Sequence, residues 1–270
     1  MGARFDDLPE RLASAFVLAP IALACLWLGG ASWAVLVALA GAGVATEWVR
    51  IANFRSASLP GVVLPVLVAA ASLATAAGFA LPLFVLLALA AAGLAAAGRS
   101  ALPGRLWLAG GMIYIGLAGM AATWLRLGTA AGRGNLLFVL AIVWASDTGA
   151  YLLGRFVGGP KLVPRISPSK TWAGMVGGVA LAIAAGLVVA RVFATGATVG
   201  GVAVSIVLAL ASQGGDLLES VFKRRFGVKH SSRLIPGHGG LLDRLDGVLA
   251  AISIAALLVL ALGPGAELWR

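Results

Sequence analysis

Nine apolar runs, each about as long as a helix needs to cross a bilayer, leave this chain one solvent to fold in. A hydrocarbon core of about 30 Å takes about 20 helical residues, and the runs cover roughly 13–29, 31–51, 59–77, 79–97, 105–125, 135–154, 172–194, 199–219 and 247–263. The third and fourth are parted only by Gly78 and the Ala80-Leu81-Pro82 region, so eight to ten spans fit the pattern. Charged residues make up 11% of the sequence and hydrophobic ones 61%. A soluble domain carries about 25% charge, and a soluble fold of 270 residues has no interior large enough for this much apolar surface. The expected fold is therefore an all-α polytopic integral membrane protein of about nine transmembrane helices. The first run is read as an uncleaved anchor, because eight more spans follow it.

Charge then sets the orientation. With the N-terminus in the cytoplasm and nine spans threaded, sixteen of the twenty Lys and Arg residues fall on the cytoplasmic side. Only Arg126, Arg133, Arg191 and Arg270 fall on the other. Such a bias is what the positive-inside rule requires. The net charge of +10 comes from residues between apolar spans, not from patches interleaved with aromatics. Anionic head groups or phosphorylated substrates are thus the expected partners, and nucleic acid is not. Cys25 is the only cysteine, so it forms no internal disulfide, and no Cys/His metal spacing occurs.

Polar chemistry is unevenly distributed. Residues 1–135 read as structural transmembrane helices, carrying little beyond loop arginines and Asp6, Asp7 and Glu10. Residues 136–270 read as transmembrane helices bearing cytoplasmic catalytic loops, within one membrane domain. Charges at bilayer depth cost about 2.5–3.5 kcal/mol each on insertion scales, so they mark function by default. Glu47, Asp147 and Asp216 lie within spans. Glu47 precedes Arg50 by one turn and reads as an i,i+3 ion pair. Asp147 sits between Trp144-Ala145-Ser146 and Thr148-Gly149, where helix packing and a site role both fit.

Asp216 opens the most informative pattern. Positions 216, 219/220 and 223 recur at i, i+3/4, i+7, so a continuing helix puts Asp216, Ser220 and Lys223 on one stripe. Further on, Pro236, Gly237, His238, Gly239 and Gly240 exclude a helix and permit close backbone approach to a ligand. Helix can resume at about Leu241, which sets Asp243 and Asp246 at i, i+3 on one face. Two carboxylates after a glycine-rich turn suit Mg²⁺, which takes oxygen ligands and shares them with phosphates. The helix start would itself attract phosphate. His238 fits either a turn or a phosphate donor. Between spans six and seven, Gly158-Gly159-Pro160-Lys161 and Ser167-Pro168-Ser169-Lys170-Thr171-Trp172 offer hydroxyls and lysines with Gly and Pro breakers. The spacing is not that of a Walker A loop. Metal-binding acids, phosphate-binding cations and an apolar body together point to phosphoryl or nucleotidyl transfer involving a lipid phosphate.

Ser220-Val221-Phe222-Lys223-Arg224, Lys229, and the run from Pro236 through Asp243-Arg244-Leu245-Asp246 closely resemble the signature of the phosphatidate cytidylyltransferase (CDP-diacylglycerol synthase) family. Asp147 to Tyr151 with Gly154-Arg155, and Ser167 to Trp172, resemble two further motifs upstream. The resemblance implies transfer of CMP from CTP to phosphatidic acid, with release of pyrophosphate. It implies Asp216, Asp243 and Asp246 as Mg²⁺ ligands, a second ion or a monovalent cation remaining open. Ser220, Lys223 and Arg244 would complete the catalytic set. Asp147, Lys161, Ser167, Lys170, Thr171, Arg224, Lys229, His238, Gly239 and Gly240 would bind substrate. Where that family usually carries Asp, Lys and Glu, this chain has His230, Ser169 and Ala173. The implied setting is a bacterial inner membrane with the active face in the cytoplasm; a homodimer is compatible with it. Two other readings compete: a CTP-dependent kinase or nucleotidyltransferase for another lipid, and an ion-coupled transporter using Glu47, Asp147 and Asp216.

Overall fold

The computed structural model describes residues 8–56, 58–79, 86–88, 90–91, 102–193, 199–229, 231–232 and 239–270. Among the described residues, eight long helices carry the architecture: α1 (Leu8–Leu28), α2 (Gly30–Ile51), α3 (Leu59–Ala76), α4 (Leu102–Leu127), α5 (Gly132–Phe156), α6 (Trp172–Val192), α7 (Val199–Arg225) and α8 (Leu242–Leu262). Seven of them, α2 to α8, contain stretches long and apolar enough to cross a membrane, and α1 adds a shorter apolar stretch, Phe16–Leu28. The chain is thus the polytopic helical membrane protein that the apolar runs predict. Most of the run at 79–97 lies outside the described residues.

The chain divides into two compact units, one of residues 1–123 with 225–244 and one of residues 124–224 with 245–270. In the first, α2 packs on α3. Trp33 and Trp48 bury their rings and still satisfy their one polar group. Trp33 donates its indole N–H to the Ala122 carbonyl at 3.0 Å and Trp48 to that of Trp107 at 2.9 Å. Gly111 leaves room for the Trp48 ring, which a Cβ there would strike. α3 begins with a Ser58 cap accepting from the Gly61 N–H and a proline in the first turn, the position where a missing N–H costs nothing. Its buried hydroxyls, Ser72 and Thr75, donate back to the carbonyls four residues earlier. Hydroxyls can sit in an apolar helix on those terms.

In the second unit, α5 and α6 pack closely along small residues. A Cβ on Gly149 would meet the Gly177 carbonyl, and one on Gly178 would meet Ser146 and Gln213. Without a hydrophobic force between helices in lipid, such close backbone contact is what holds them together. Gln213 of α7 donates to Ser146 Oγ and to the Met175 carbonyl, both at 3.2 Å. At the far end of the chain, Asn135 donates to the Ala266 carbonyl at 2.9 Å and accepts from the Leu268 N–H at 3.0 Å. Trp269 stacks on Phe193 with ring centroids 4.8 Å apart.

One element departs from the all-α expectation. The loop after α5 folds into an antiparallel hairpin, β1 (Lys161–Val163) and β2 (Ser167–Thr171), pairing Lys161 with Thr171 and Val163 with Ser167. Gly158 and Gly159, at φ of 64° and 87°, turn the chain out of α5; only glycine adopts such angles readily. Thr171 ends the hairpin and starts α6, its hydroxyl accepting from the Gly174 N–H at 3.1 Å.

Candidate active site

The site begins with the length of α7. Its 27 residues run about 40 Å at 1.5 Å per residue, longer than the bilayer core. One unbroken helix therefore carries the Asp216 stripe out of the apolar layer. On it, Asp216, Glu219 and Lys223 share a face, and Glu219 is almost fully buried at 4% exposure. Lys223 Nζ donates to Glu219 Oε2 at 2.6 Å, one turn along the helix.

A second helix meets this face closely. A Cβ on Gly215 would strike the Asp246 carbonyl, and a Cβ on Gly247 would strike Ser212. Each glycine adjoins a carboxylate in sequence, so the two bare positions let the α7 and α8 backbones approach where Asp216 and Asp246 project. Asp216, Glu219 and Asp246 each bring an oxygen into a group whose members all lie within 4.8 Å of one another. The Gly247 N–H donates to Asp246 Oδ1 at 2.7 Å. Three carboxylates this close repel unless a cation intervenes. An all-oxygen donor set of this kind fits a hard divalent ion such as Mg²⁺.

Part of that repulsion is already offset by the hairpin. Lys170 on β2 donates to Asp216 Oδ2 at 2.6 Å. Arg224, exposed near the end of α7, donates from Nε to the Ile166 carbonyl in the turn of the same hairpin at 3.4 Å. Ser167 Oγ and Ser169 Oγ lie 3.5 Å apart on the strand. Lys161 and Asp147 are exposed, the latter on α5 beside Thr148. Two turns further, Arg155 donates to the Tyr151 hydroxyl at 2.8 Å. Ser220 is half-buried next to Glu219.

The remaining sequence candidates belong to the first unit or to the start of α8. Asp243 Oδ2 accepts from the backbone N–H of Ser231 at 3.3 Å and of Gly240 at 3.2 Å. Gly239 has a φ of 85°, a left-handed turn that explains the glycine. Lys229 and Arg244 are exposed. His238 and His230 lie outside the described residues.

Two acids come out differently from their sequence readings. The stripe read from sequence runs through Ser220, whereas in the structure it is Glu219 that joins Asp216 and Asp246. The signal was present: i+3 and i+4 both fall on the stripe, and the i+3 position is a carboxylate. Glu47 does not take the predicted ion pair with Arg50. Arg50 donates from Nε to Ser56 Oγ at 2.9 Å. Glu47, 2% exposed, accepts from Ser232 Oγ at 2.5 Å and from the backbone N–H of Leu241 and Leu242 at 2.9 and 2.8 Å. Hydrogen bonds to a charged acceptor are each worth about 1.5–3 kcal/mol, so three of them offset the cost of burying this carboxylate.

A model of the cytidylyltransferase family matches residues 9–262. A phosphatidate cytidylyltransferase of Brucella suis biovar 1 (strain 1330) is 39% identical over 257 residues, covering 94% of this chain and 93% of its own length. One from Pseudomonas aeruginosa is 36% identical over 288 residues, covering 96% and 99%. One from Haemophilus influenzae is 45% identical over 123 residues, 43% of this chain and 42% of its own. A match along nearly the whole chain carries the conclusion: the chain belongs to the cytidylyltransferase family.

Proposed function

We propose that this membrane enzyme transfers CMP from CTP to phosphatidic acid, forming CDP-diacylglycerol and pyrophosphate. The observation that carries the reading is the Asp216, Glu219 and Asp246 cluster, flanked by Lys170 and Lys223, in a chain of this family. A phosphate oxygen of the lipid attacks the α-phosphorus of CTP. The new P–O bond forms as the bond to the β-phosphate breaks, and pyrophosphate leaves. The attacking group is already an anion, so no strong general base is needed. This suits a site whose described ionisable groups are carboxylates, lysines and arginines.

Asp216, Glu219 and Asp246 would hold Mg²⁺, with Asp243 included through the family resemblance. Bound there, the ion would neutralise charge on the transferring phosphates. Lys170 and Lys223, each paired with a carboxylate of the cluster, would add positive charge where negative charge gathers in the transition state. Arg224 and Lys161, both exposed, extend that field toward solvent. The setting we infer is a bacterial inner membrane with these groups on the cytoplasmic side, supported by the Lys/Arg asymmetry.

The test is the fate of two labels. Purified chain with phosphatidic acid and CTP labelled at the α-phosphate is expected to yield labelled CDP-diacylglycerol, while γ-labelled CTP yields labelled pyrophosphate and unlabelled lipid. A γ-label recovered in a lipid would mean a kinase and would overturn the reading.

A further inference from the structure

The buried carboxylate of Glu47 is not used by the chemistry described above. It sits on α2, in the half of the chain that otherwise looks purely structural, and its bonds reach residues 185 to 195 positions away in sequence. Those partners are not scattered. Ser232 and the Leu241–Leu242 pair stand at the two ends of the glycine-rich segment that leads into α8. Asp243 ties the same two ends together through the N–H groups of Ser231 and Gly240.

The α2 surface is shaped to receive this junction. Gly43, one turn before Glu47, faces Leu241, whose Cδ2 lies 2.8 Å from where a Cβ would stand. A Cβ on Gly240 would strike Ser231 Oγ and come within 2.8 Å of Glu47 Oε2. Bare positions on both sides thus allow backbone and carboxylate to meet. At a helix start the first N–H groups have no partner in the helix, and a negative charge there is favourable. Glu47 supplies both the acceptor and the charge, from another helix.

We propose that Glu47 is a positioning residue for the reaction: by seating Ser232 and the first N–H groups of α8, it fixes the segment that holds Asp243 and presents Arg244. The proposal rests on the functional reading for its rate effects but not for its geometry. A glutamine would keep the shape yet lose the charge, and its NH₂ would face at least one backbone N–H. The segment then loosens, and Asp243 loses the two amides that orient it. Asp243 and Arg244, groups proposed to act in the transition state, are displaced, so kcat falls more than KM changes.

The full-length chain in detergent tests this with Glu47→Gln, Glu47→Asp and Ser232→Ala. Hydrogen exchange of the 239–245 backbone, which needs no substrate, is expected to rise in Glu47→Gln. Its kcat is expected to drop about 10- to 100-fold, the size of one or two lost bonds to a buried charge, with KM for CTP within about threefold. Glu47→Asp keeps the charge one methylene short and should recover part of the rate. Ser232→Ala keeps the capping carboxylate but removes one bond to it, and should lower kcat by about 3- to 10-fold with a modest fall in the unfolding midpoint. Effects of the pair should also be less than additive, as for residues sharing one network. Wild-type exchange at 239–245 in a folded Glu47→Gln, or its kcat within twofold of wild type, overturns the proposal. Should that variant not fold, wild-type kcat and exchange in Ser232→Ala overturn it instead. A chain that proves to act on another lipid would leave the exchange result standing, which separates this proposal from the functional one.

Discussion

Asp243 and Asp246 stand one turn apart on α8, yet their surroundings differ. Asp243 gathers two backbone amides, at 3.3 and 3.2 Å. Asp246 joins a cluster with Asp216 and Glu219. Replacing Asp243 by Asn puts an NH₂ where two N–H donors converge and removes a charge. Turnover of CTP is expected to fall at least about 100-fold, since the loss of one aligned electrostatic contact costs 10²–10³. Membrane insertion, followed by fractionation and a monodisperse detergent profile, should be unchanged. Turnover within threefold of wild type would remove Asp243 from the site. At this scale the sequence was readable where chemistry is local. The 216–223 stripe follows from helix periodicity alone. Choosing between Glu219 and Ser220 depends on which neighbour α7 meets, and the sequence does not state that. The partners of Glu47 are hidden for the same reason: Arg50 is three residues away, whereas Ser232 is 185 away and carries no local signal.

The helices themselves were legible because lipid imposes length and apolarity on each of them. α2, α3, α6 and α7 start within one residue of the runs read from sequence. α8 starts five residues before the apolar run at 247, since its first turn is polar and carries the site. The hairpin at 161–171 was not visible: its strands are short and hold Pro168, and Lys/Ser/Thr residues give no alternation of apolar and polar. Helix contact also makes a testable claim. Gly215 has the Asp246 carbonyl where its Cβ would stand, whereas Gly214 has nothing within 4 Å. Gly215→Ala should push α7 and α8 apart at the carboxylates, lowering activity at least about tenfold and depressing the unfolding midpoint, as overpacking does. Gly214→Ala, checked in the same activity and unfolding assays, should be close to wild type. Equal behaviour of the two would show that the close approach does not matter.

For the whole molecule, the Lys/Arg asymmetry fixes an expected orientation. In a Cys25→Ser background, Ala130→Cys lies exposed between α4 and α5, and Ser169→Cys lies exposed on β2. An impermeant maleimide added to intact cells should label the first, and should label the second only in inverted vesicles. The reverse pattern would turn the protein over. The acidic cluster is tested by one titration. CDP-diacylglycerol formation is measured against Mg²⁺ concentration for the wild type and for Glu219→Gln, the most deeply buried member of the cluster. If Glu219 helps hold the ion, the half-activating Mg²⁺ concentration rises about tenfold or more, in line with the loss of a charged contact of about 1.4 kcal/mol or greater. An unchanged Mg²⁺ curve in a folded Glu219→Gln would contradict the metal site described here.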